Sequence, residues 1–235
     1  MSKLRLLDLF CGAGGAAMGY HWAGFEVVGV DIKPQPRYPF EFHQGDAMTW
    51  PLEGFAAIHA SPPCQRWSVM SALPKAREHP DLIAPIRERL GMSGVHWVIE
   101  NVPNSPLRSP IMLCGSMFGL RSTEERYLRR HRLFELSWPV VLVPQCQHSG
   151  LAVGVYGHGS AGWPGQRMRT AKAPEAQLLM GINWMTRDGM SQAIPPAYTE
   201  WIGKQLMEYL RSDGLSTPGR AQVKMEPVSR PCPTV

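Results

Sequence analysis

Cys64 and Glu100 lie in contexts that favour chemistry over a purely structural role. Cys64 follows two prolines, and its proline, glutamine and arginine neighbours make a poor environment for a buried cysteine. A thiol with the ordinary pKa of ~8.5 is mostly protonated at neutral pH, so positive charge such as that of Arg66 would favour the nucleophilic thiolate. Glu100 follows an apolar run at 97–99. Burial at the end of such a run tends to raise a carboxyl pKa, so this group can hold a proton near neutrality.

A glycine-rich segment near the amino terminus predicts a nucleotide cofactor. Gly12, Gly14 and Ala17 satisfy the pattern G-x-G-x-x-A, in which glycines let the backbone turn tightly beside a bound nucleotide. Asp31 lies about twenty residues further on, where a carboxylate can bind ribose hydroxyls, and Asp46 offers a second acid after a glycine. These residues indicate an adenosine-bearing cofactor without distinguishing a nicotinamide dinucleotide from S-adenosylmethionine.

The elements that must position these groups alternate between strands and helices. Apolar runs at 4–10, 26–31, 55–60 and 96–101 predict strands, and helices are predicted through 16–20, 82–90, 174–180 and 197–210. This alternation predicts an α/β fold: a doubly wound, mostly parallel, Rossmann-like sheet with the site at the carboxyl ends of its strands.

The chain divides into four predicted regions. Residues 1–136 are expected to form the cofactor-binding and catalytic core, and 171–210 to return to that core. Between them, 137–170 is rich in glycine and contains no acidic residue, which predicts a small irregular lobe. The proline-rich segment 211–235 lacks aromatic residues and is predicted to be disordered.

Composition excludes several classes of protein. The 235 residues include 24 Lys and Arg against 19 Asp and Glu, a net charge of +5, and the segment 121–170 alone carries seven Arg and three Glu. This local excess suggests a surface for phosphates.

No apolar run approaches the length of a membrane span, and Asp8 comes too early for a signal peptide, so we expect a cytoplasmic protein.

The cysteines predict neither a disulfide framework nor a metal site. There are five of them and no Cys-x-x-Cys pair, and apart from Cys64 they are interpreted as small buried apolar residues. Cys146 and His148 could be metal ligands, but two ligands do not form a site, so no metal is expected.

Several motifs in the correct order resemble the cytosine-C5 DNA methyltransferases, from Leu4 to Leu210. The blocks that carry this resemblance are Phe10-Cys11-Gly12-Ala13-Gly14-Gly15, Ser61-Pro62-Pro63-Cys64-Gln65, Glu100-Asn101-Val102, Leu128-Arg129-Arg130-His131-Arg132, Arg169-Thr170 with Glu175 and Leu179-Met180-Gly181, and Gln192-Ala193-Ile194-Pro195-Pro196-Ala197-Tyr198. Leu128 replaces the glutamine of the family's arginine block.

The resemblance implies S-adenosylmethionine as the cofactor and a role for each matching residue. Cys64 would add to C6 of cytosine while Glu100 contacts N3, and Arg130 and Arg132 would hold the cytosine O2 and a neighbouring phosphate. The implied cofactor residues are Phe10, Gly12, Ala13, Gly14, Gly15, Asp31, Ile32, Asp46, Pro63, Gln192 and Ala193. The implied substrate residues are Ser61, Gln65, Ser68, Asn101, Arg167 and Arg169.

The expected partner is double-stranded DNA, bound by a monomer that flips the target base out of the helix. The lobe at 137–170 has only 34 residues, which predicts a short or relaxed target sequence, with Gln145, Gln147 and His148 as further candidate contacts. Three alternatives stay open: methylation of RNA or a free cytosine nucleotide, a catalytically inactive DNA-binding homologue, and a nicotinamide dehydrogenase. The last leaves Cys64 and Glu100 unexplained.

Overall fold

The computed structural model describes residues 3–64, 80–140, 142–156 and 168–213. Its strands are β1 (Arg5–Leu9), β2 (Glu26–Asp31), β3 (Glu41–Gln44), β4 (Ala57–Ala60), β5 (His96–Asn101), β6 (Ile111–Leu113), β7 (Tyr127–Leu128), β8 (Arg132–Leu136), β9 (Ala152–Gly154) and β10 (Met168–Thr170). Its helices are α1 (Gly15–Trp22), α2 (Ile83–Met92), α3 (Ala173–Met180), α4 (Arg187–Gln192) and α5 (Pro196–Asp213), with a 3-10 helix at Gly115–Phe118.

A seven-stranded sheet in the order β3-β2-β1-β4-β5-β8-β6 forms the centre of the molecule. The first five strands in chain order are parallel, and β8 is inserted antiparallel to both β5 and β6. The predicted α/β class with a mostly parallel sheet is therefore confirmed. The predicted strands 26–31 and 96–101 match β2 and β5 in full, whereas β3, β6 and β8 were not predicted.

Alternating side chains along the strands bury both faces of this sheet. Leu6 and Val98 pack on one face with Tyr198 of α5, where α1 and α5 lie against each other. Leu7 and Ile99 pack on the opposite face with the buried side of α2. A sheet covered on both sides exposes its strand ends, and these ends are the places where side chains can meet a ligand.

The described part of the predicted lobe shares a small parallel sheet with the predicted core region. Strand β9 pairs with β10 on one side and with β7, which precedes the boundary at 136/137, on the other. Helix α5 continues to Asp213, into the predicted tail, and 214–235 lie outside the described residues. Among the helices described, none is long and apolar enough to cross a membrane.

Candidate active site

The carboxyl ends of four neighbouring strands bring the predicted chemical groups to one edge of the sheet. Cys64 follows β4, Glu100 lies in β5, and the register pairs Ala60 of β4 with Ile99 of β5. On the other side of β4, the glycine-rich turn follows β1, and Asp31 ends β2. The catalytic and cofactor motifs therefore share a single edge, as expected for a parallel sheet.

Glu100 is buried and ion-paired. Its Oε1 lies 3.1 Å from Nε of Arg132, the first residue of β8, which runs antiparallel beside β5. Burial raises the pKa of Glu100 above its ordinary value, while the charge of Arg132 and a hydrogen bond from Ser61 oppose that rise. A buried carboxyl group with a raised pKa holds its proton more readily than an exposed one, which suits a proton donor.

Cys64 is partly buried beside Glu100 and Arg132. Burial raises the pKa of its thiol, the negative charge of Glu100 raises it further, and the charge of Arg132 lowers it. We expected nearby positive charge to favour the thiolate. Arg132 does act in that direction, but burial outweighs it, and Arg66 lies outside the described residues.

A chain of buried polar groups leads from α1 to Glu100. The hydroxyl of Tyr20 lies 2.9 Å from Nδ1 of His59, whose Nε2 lies 2.8 Å from Oγ of Ser61, which in turn bonds Glu100. A neutral imidazole can accept from Tyr20 and donate to Ser61 at the same time. Sequence reasoning missed Tyr20 and His59, although a histidine within the buried run 57–60 was a usable signal.

Asn101 is fully buried, and its side-chain hydrogen bonds go to the backbone. Its Nδ2 donates to the carbonyl of Pro62 at 3.0 Å, and its Oδ1 accepts from the backbone N–H of Val102 at the same distance. Asn101 therefore fixes the segment that carries Pro63 and Cys64. This contact explains why the asparagine adjoins the glutamate in the motif: the pair links β5 to the loop after β4.

Arg130 is also buried, and its guanidinium binds backbone carbonyls. It donates to Ala193 O at 2.8 and 3.1 Å, to Ser191 O at 2.7 Å and to Val155 O at 2.6 Å. Burial lowers its pKa from the ordinary arginine value. Through these three carbonyls Arg130 joins its own segment to the segments that carry Val155 and Ala193.

The turn after β1 has an unusual backbone. Phe10, Gly12 and Gly14 all have positive φ, at 57°, 50° and 83°, and such a conformation is strained for phenylalanine. A side chain at Gly12 would meet nothing within 4 Å, so the turn faces open space there. The backbone N–H of Gly12 donates to Asp31 Oδ2 at 3.0 Å, which couples the turn to the end of β2.

The remaining predicted cofactor residues surround this turn. Ile32 is 66% exposed, which is unusual for isoleucine, and Asp46 is exposed with Oδ1 accepting from Met48 N–H. Ala13 accepts a hydrogen bond from the indole of Trp184 at 2.9 Å, a contact that the sequence did not reveal. A Cβ at Gly15 would lie 2.5 Å from the carbonyl oxygen of Ile194, so the closing segment (residues 192–198), which includes Ala193, packs directly on the turn. Within this segment Gln192 is exposed.

Only some of the residues predicted to contact the substrate or DNA lie in the described part of the structure. Gln65, Ser68 and Arg167 lie outside the described residues. Arg169, a predicted DNA contact, pairs with Glu175 at 2.5 and 2.7 Å and with Glu124 at 3.0 Å. This arrangement suits the scaffolding role that the resemblance gives to its block.

Cys146 and His148 have neighbours that sequence analysis did not connect with them. The side chains of Cys114 and His131 lie beside them, so four groups of metal-ligating type meet where two were expected. His131 stands between Arg130 and Arg132 in the chain, and the cluster therefore adjoins the arginine block.

No family model and no curated protein matches this sequence. Among solved structures, it is similar to a protein described as an Escherichia coli prophage-encoded DNA modification methyltransferase, with a TM-score of 0.54 and 14% identity over 89% of this chain and 100% of that chain. It is also similar to Dnmt2 of Spodoptera frugiperda (TM-score 0.59, 13% identity, 87% and 100% covered) and to Dnmt2 methyltransferase of S. pombe (0.59, 14%, 89% and 99%). At these identities the likeness establishes a methyltransferase fold.

Proposed function

We propose that this chain transfers a methyl group from S-adenosylmethionine to C5 of cytosine in double-stranded DNA through a covalent Cys64–C6 intermediate. One observation carries the proposal: a thiol, a buried carboxyl group and an arginine that pairs with that carboxyl meet at the carboxyl edge of β4 and β5. Addition to an aromatic ring needs a nucleophile at one atom and proton donation at another, and this edge offers both.

The proposed reaction balances through groups of this chain and the substrate. The thiolate of Cys64 forms a bond to C6 while Glu100 donates a hydrogen bond or its proton to N3, which makes C5 electron-rich. Arg132 holds Glu100 by their 3.1 Å contact and stabilises negative charge near the ring. Once C5 has taken the methyl group and S-adenosylhomocysteine has been left as the by-product, loss of the C5 proton to water restores the C5–C6 double bond, expels the Cys64 thiolate and returns the N3 proton to Glu100.

The cofactor site fits S-adenosylmethionine, which supplies an electrophilic methyl group when bound. The positive φ angles at Phe10 and Gly12 and the open space above Gly12 leave room for a ligand against the turn backbone. Asp31 lies at the end of β2, where a carboxylate binds ribose hydroxyls. The exposed side chain of Ile32 offers an apolar surface for a base.

The choice of DNA follows the motif resemblance and the description of the similar prophage protein, whose function is a property of that protein. RNA and free nucleotides carry the same ring, so the test must compare all three. Incubation with methyl-labelled S-adenosylmethionine and DNA, RNA or dCTP should label duplex DNA, and sequencing of the product should place 5-methylcytosine at a short site.

Cysteine variants test the covalent step. Cys64→Ala should abolish methyl transfer, and Cys232→Ala, outside the region of resemblance, should leave it unchanged. A duplex containing 5-fluorocytosine should trap a covalent adduct on the peptide that carries Cys64, because fluorine cannot leave as a proton does. Transfer that survives in Cys64→Ala would exclude the covalent mechanism, and labelling of RNA alone would exclude DNA as the substrate.

A further inference from the structure

Four side chains from three separated segments converge beside the arginine block. Cys114 follows β6, His131 precedes β8, and Cys146 and His148 lie in the loop after β8. One ligand atom from each lies within 4.8 Å of every other. No disulfide joins Cys114 to Cys146.

Three of the six separations between these atoms match the edges of a tetrahedron around one metal ion, and the other three are at most 4.8 Å. Bonds of about 2.3 Å from zinc to sulfur and about 2.0–2.1 Å to nitrogen give edges of about 3.3 Å between nitrogens and about 3.5–3.6 Å between sulfur and nitrogen. The two Nε2 atoms of His131 and His148 lie 3.2 Å apart. The sulfur of Cys114 lies 3.5 Å from Nε2 of His148, and that of Cys146 lies 3.7 Å from Nε2 of His131.

The surroundings of the four groups also suit a metal centre. Cys114 is fully buried and the other three are partly buried, which limits access by water. The backbone N–H of Met117 donates to the sulfur of Cys114, a contact that orients and stabilises a thiolate ligand. The ring of Tyr127 stacks on His148 with an interplanar angle of 8° and holds the imidazole in place.

We propose that Cys114, His131, Cys146 and His148 form a structural zinc site. Two thiolates balance the charge of Zn²⁺, and four protein ligands leave no open position for water or substrate, so the ion would not take part in catalysis. The mixed sulfur and nitrogen ligands favour zinc over magnesium or calcium, which prefer oxygen.

The zinc ion would link the loop at 142–151 to the arginine block at 128–132. His131 lies between Arg130, which holds three backbone carbonyls, and Arg132, which holds Glu100. The loop already contacts the 3-10 helix that follows Cys114, where the N–H of Gln147 donates to Ser116 Oγ at 3.2 Å. A metal ligated from both sides would make this junction rigid. The binding of metal does not depend on the proposed methyl transfer, so the two proposals can fail separately.

Metal analysis of the full-length protein tests this site directly. Protein purified under reducing conditions without chelator should contain about one zinc per chain. Exchange into Co²⁺ should give intense visible ligand-field bands of tetrahedral coordination and a near-ultraviolet band from sulfur to cobalt charge transfer. A chain that takes up neither zinc nor cobalt, or a weak octahedral cobalt spectrum, would overturn the proposal.

Variants identify the ligands. The double variant Cys146→Ser/His148→Asn should lose stoichiometric zinc, whereas Cys64→Ser and His43→Asn should keep it. If the double variant does not fold, alkylation of the cysteines in the wild-type protein tests the ligand assignment. Zinc should protect Cys114 and Cys146 from N-ethylmaleimide until a chelator is added, while Cys64 reacts equally in both conditions. Full zinc content in the double variant, or alkylation of Cys114 and Cys146 unaffected by chelator, would contradict the assignment.

Discussion

The ionisation of Cys64 and that of Glu100 oppose each other, because two negative charges at one site repel. Each group is also destabilised as an anion by burial, and Arg132 favours the charged form of both. The pair therefore accommodates one negative charge more readily than two. A proton on Glu100 and a thiolate at Cys64 is the charge distribution that the proposed reaction requires.

Replacement of Glu100 should make Cys64 easier to ionise. In Glu100→Gln the negative charge that raises the thiol pKa is absent, so that pKa should fall, and the pH profile of alkylation should move to lower pH. Arg132→Gln should move the profile to higher pH, because it removes a positive charge. The rate of iodoacetamide modification of the Cys64 peptide, followed by mass spectrometry, measures both shifts. An unshifted profile in Glu100→Gln would mean that the two groups do not interact.

His59 should make the protein less stable in acid. Burial lowers the pKa of His59 from 6.5 to about 3, so between these values the unfolded chain binds a proton that the folded chain does not. Stability from this group therefore rises with pH across that window, by at most ~1.4 kcal/mol per pH unit. Urea denaturation at several pH values should show a shallower dependence in His59→Asn than in the wild type.

The control for His59 is Gln44→Asn on β3, at an exposed residue that carries no titratable group. Its pH dependence of unfolding should follow the wild type. If the curves of His59→Asn and the wild type differ only by a constant, His59 is not the group that titrates.

Among the elements of the fold, Arg130 connects segments that are distant in sequence. Its guanidinium bonds the carbonyl of Val155 after β9 and those of Ser191 and Ala193 around the end of α4. The carbonyl of Arg130 itself accepts from the hydroxyl of Tyr198 on α5 at 2.7 Å. The closing segment is thereby held against both the small sheet and the glycine-rich turn.

Arg130→Lys should destabilise the fold despite keeping the charge. One ammonium group cannot reach all three carbonyls, and each buried carbonyl left without a donor costs about 1–3 kcal/mol. We expect the free energy of unfolding, from urea denaturation, to fall by at least about 2 kcal/mol. Arg108→Lys, at an exposed arginine, should change it by less than about 0.5 kcal/mol. Equal stability of the two variants would show that Arg130 does not hold these segments.

Over the whole chain, local sequence patterns predicted several helices and strands, but they did not predict the contacts between residues that are distant in sequence. The runs at 26–31 and 96–101 are buried on both faces and were predicted with the correct bounds. Strand β3 is partly exposed and polar, so it lacks an apolar pattern, and the short apolar run of β8 begins inside an arginine-rich motif that was interpreted as a functional block. The neighbours of His131 come from segments before β7 and after β8, and residue spacing alone does not predict that the fold brings these segments together.

The distribution of charge also changes once the chain is folded. The segment 121–170 carries seven arginines and three glutamates, which suggested a free cationic surface. In the structure, however, Arg132 pairs with Glu100, Arg130 is buried, and Arg169 pairs with Glu175 and Glu124. Two of the seven arginines are therefore paired with acids outside the segment and a third is buried, so fewer arginines remain available for phosphates than the sequence suggested.

The salt dependence of DNA binding should therefore differ between variants of Arg167 and Arg169, although the sequence predicts both as DNA contacts. Each phosphate contact contributes about 0.9 to the slope of log K against log salt concentration. Arg169→Gln should leave this slope unchanged, because its guanidinium is occupied by two carboxylates. Arg167→Gln, at a position outside the described residues, should reduce the slope by about 0.9 if this arginine meets a phosphate as the sequence predicts. A reduced slope in Arg169→Gln would mean that DNA displaces Glu175 and Glu124, and the lobe would then have to rearrange on binding.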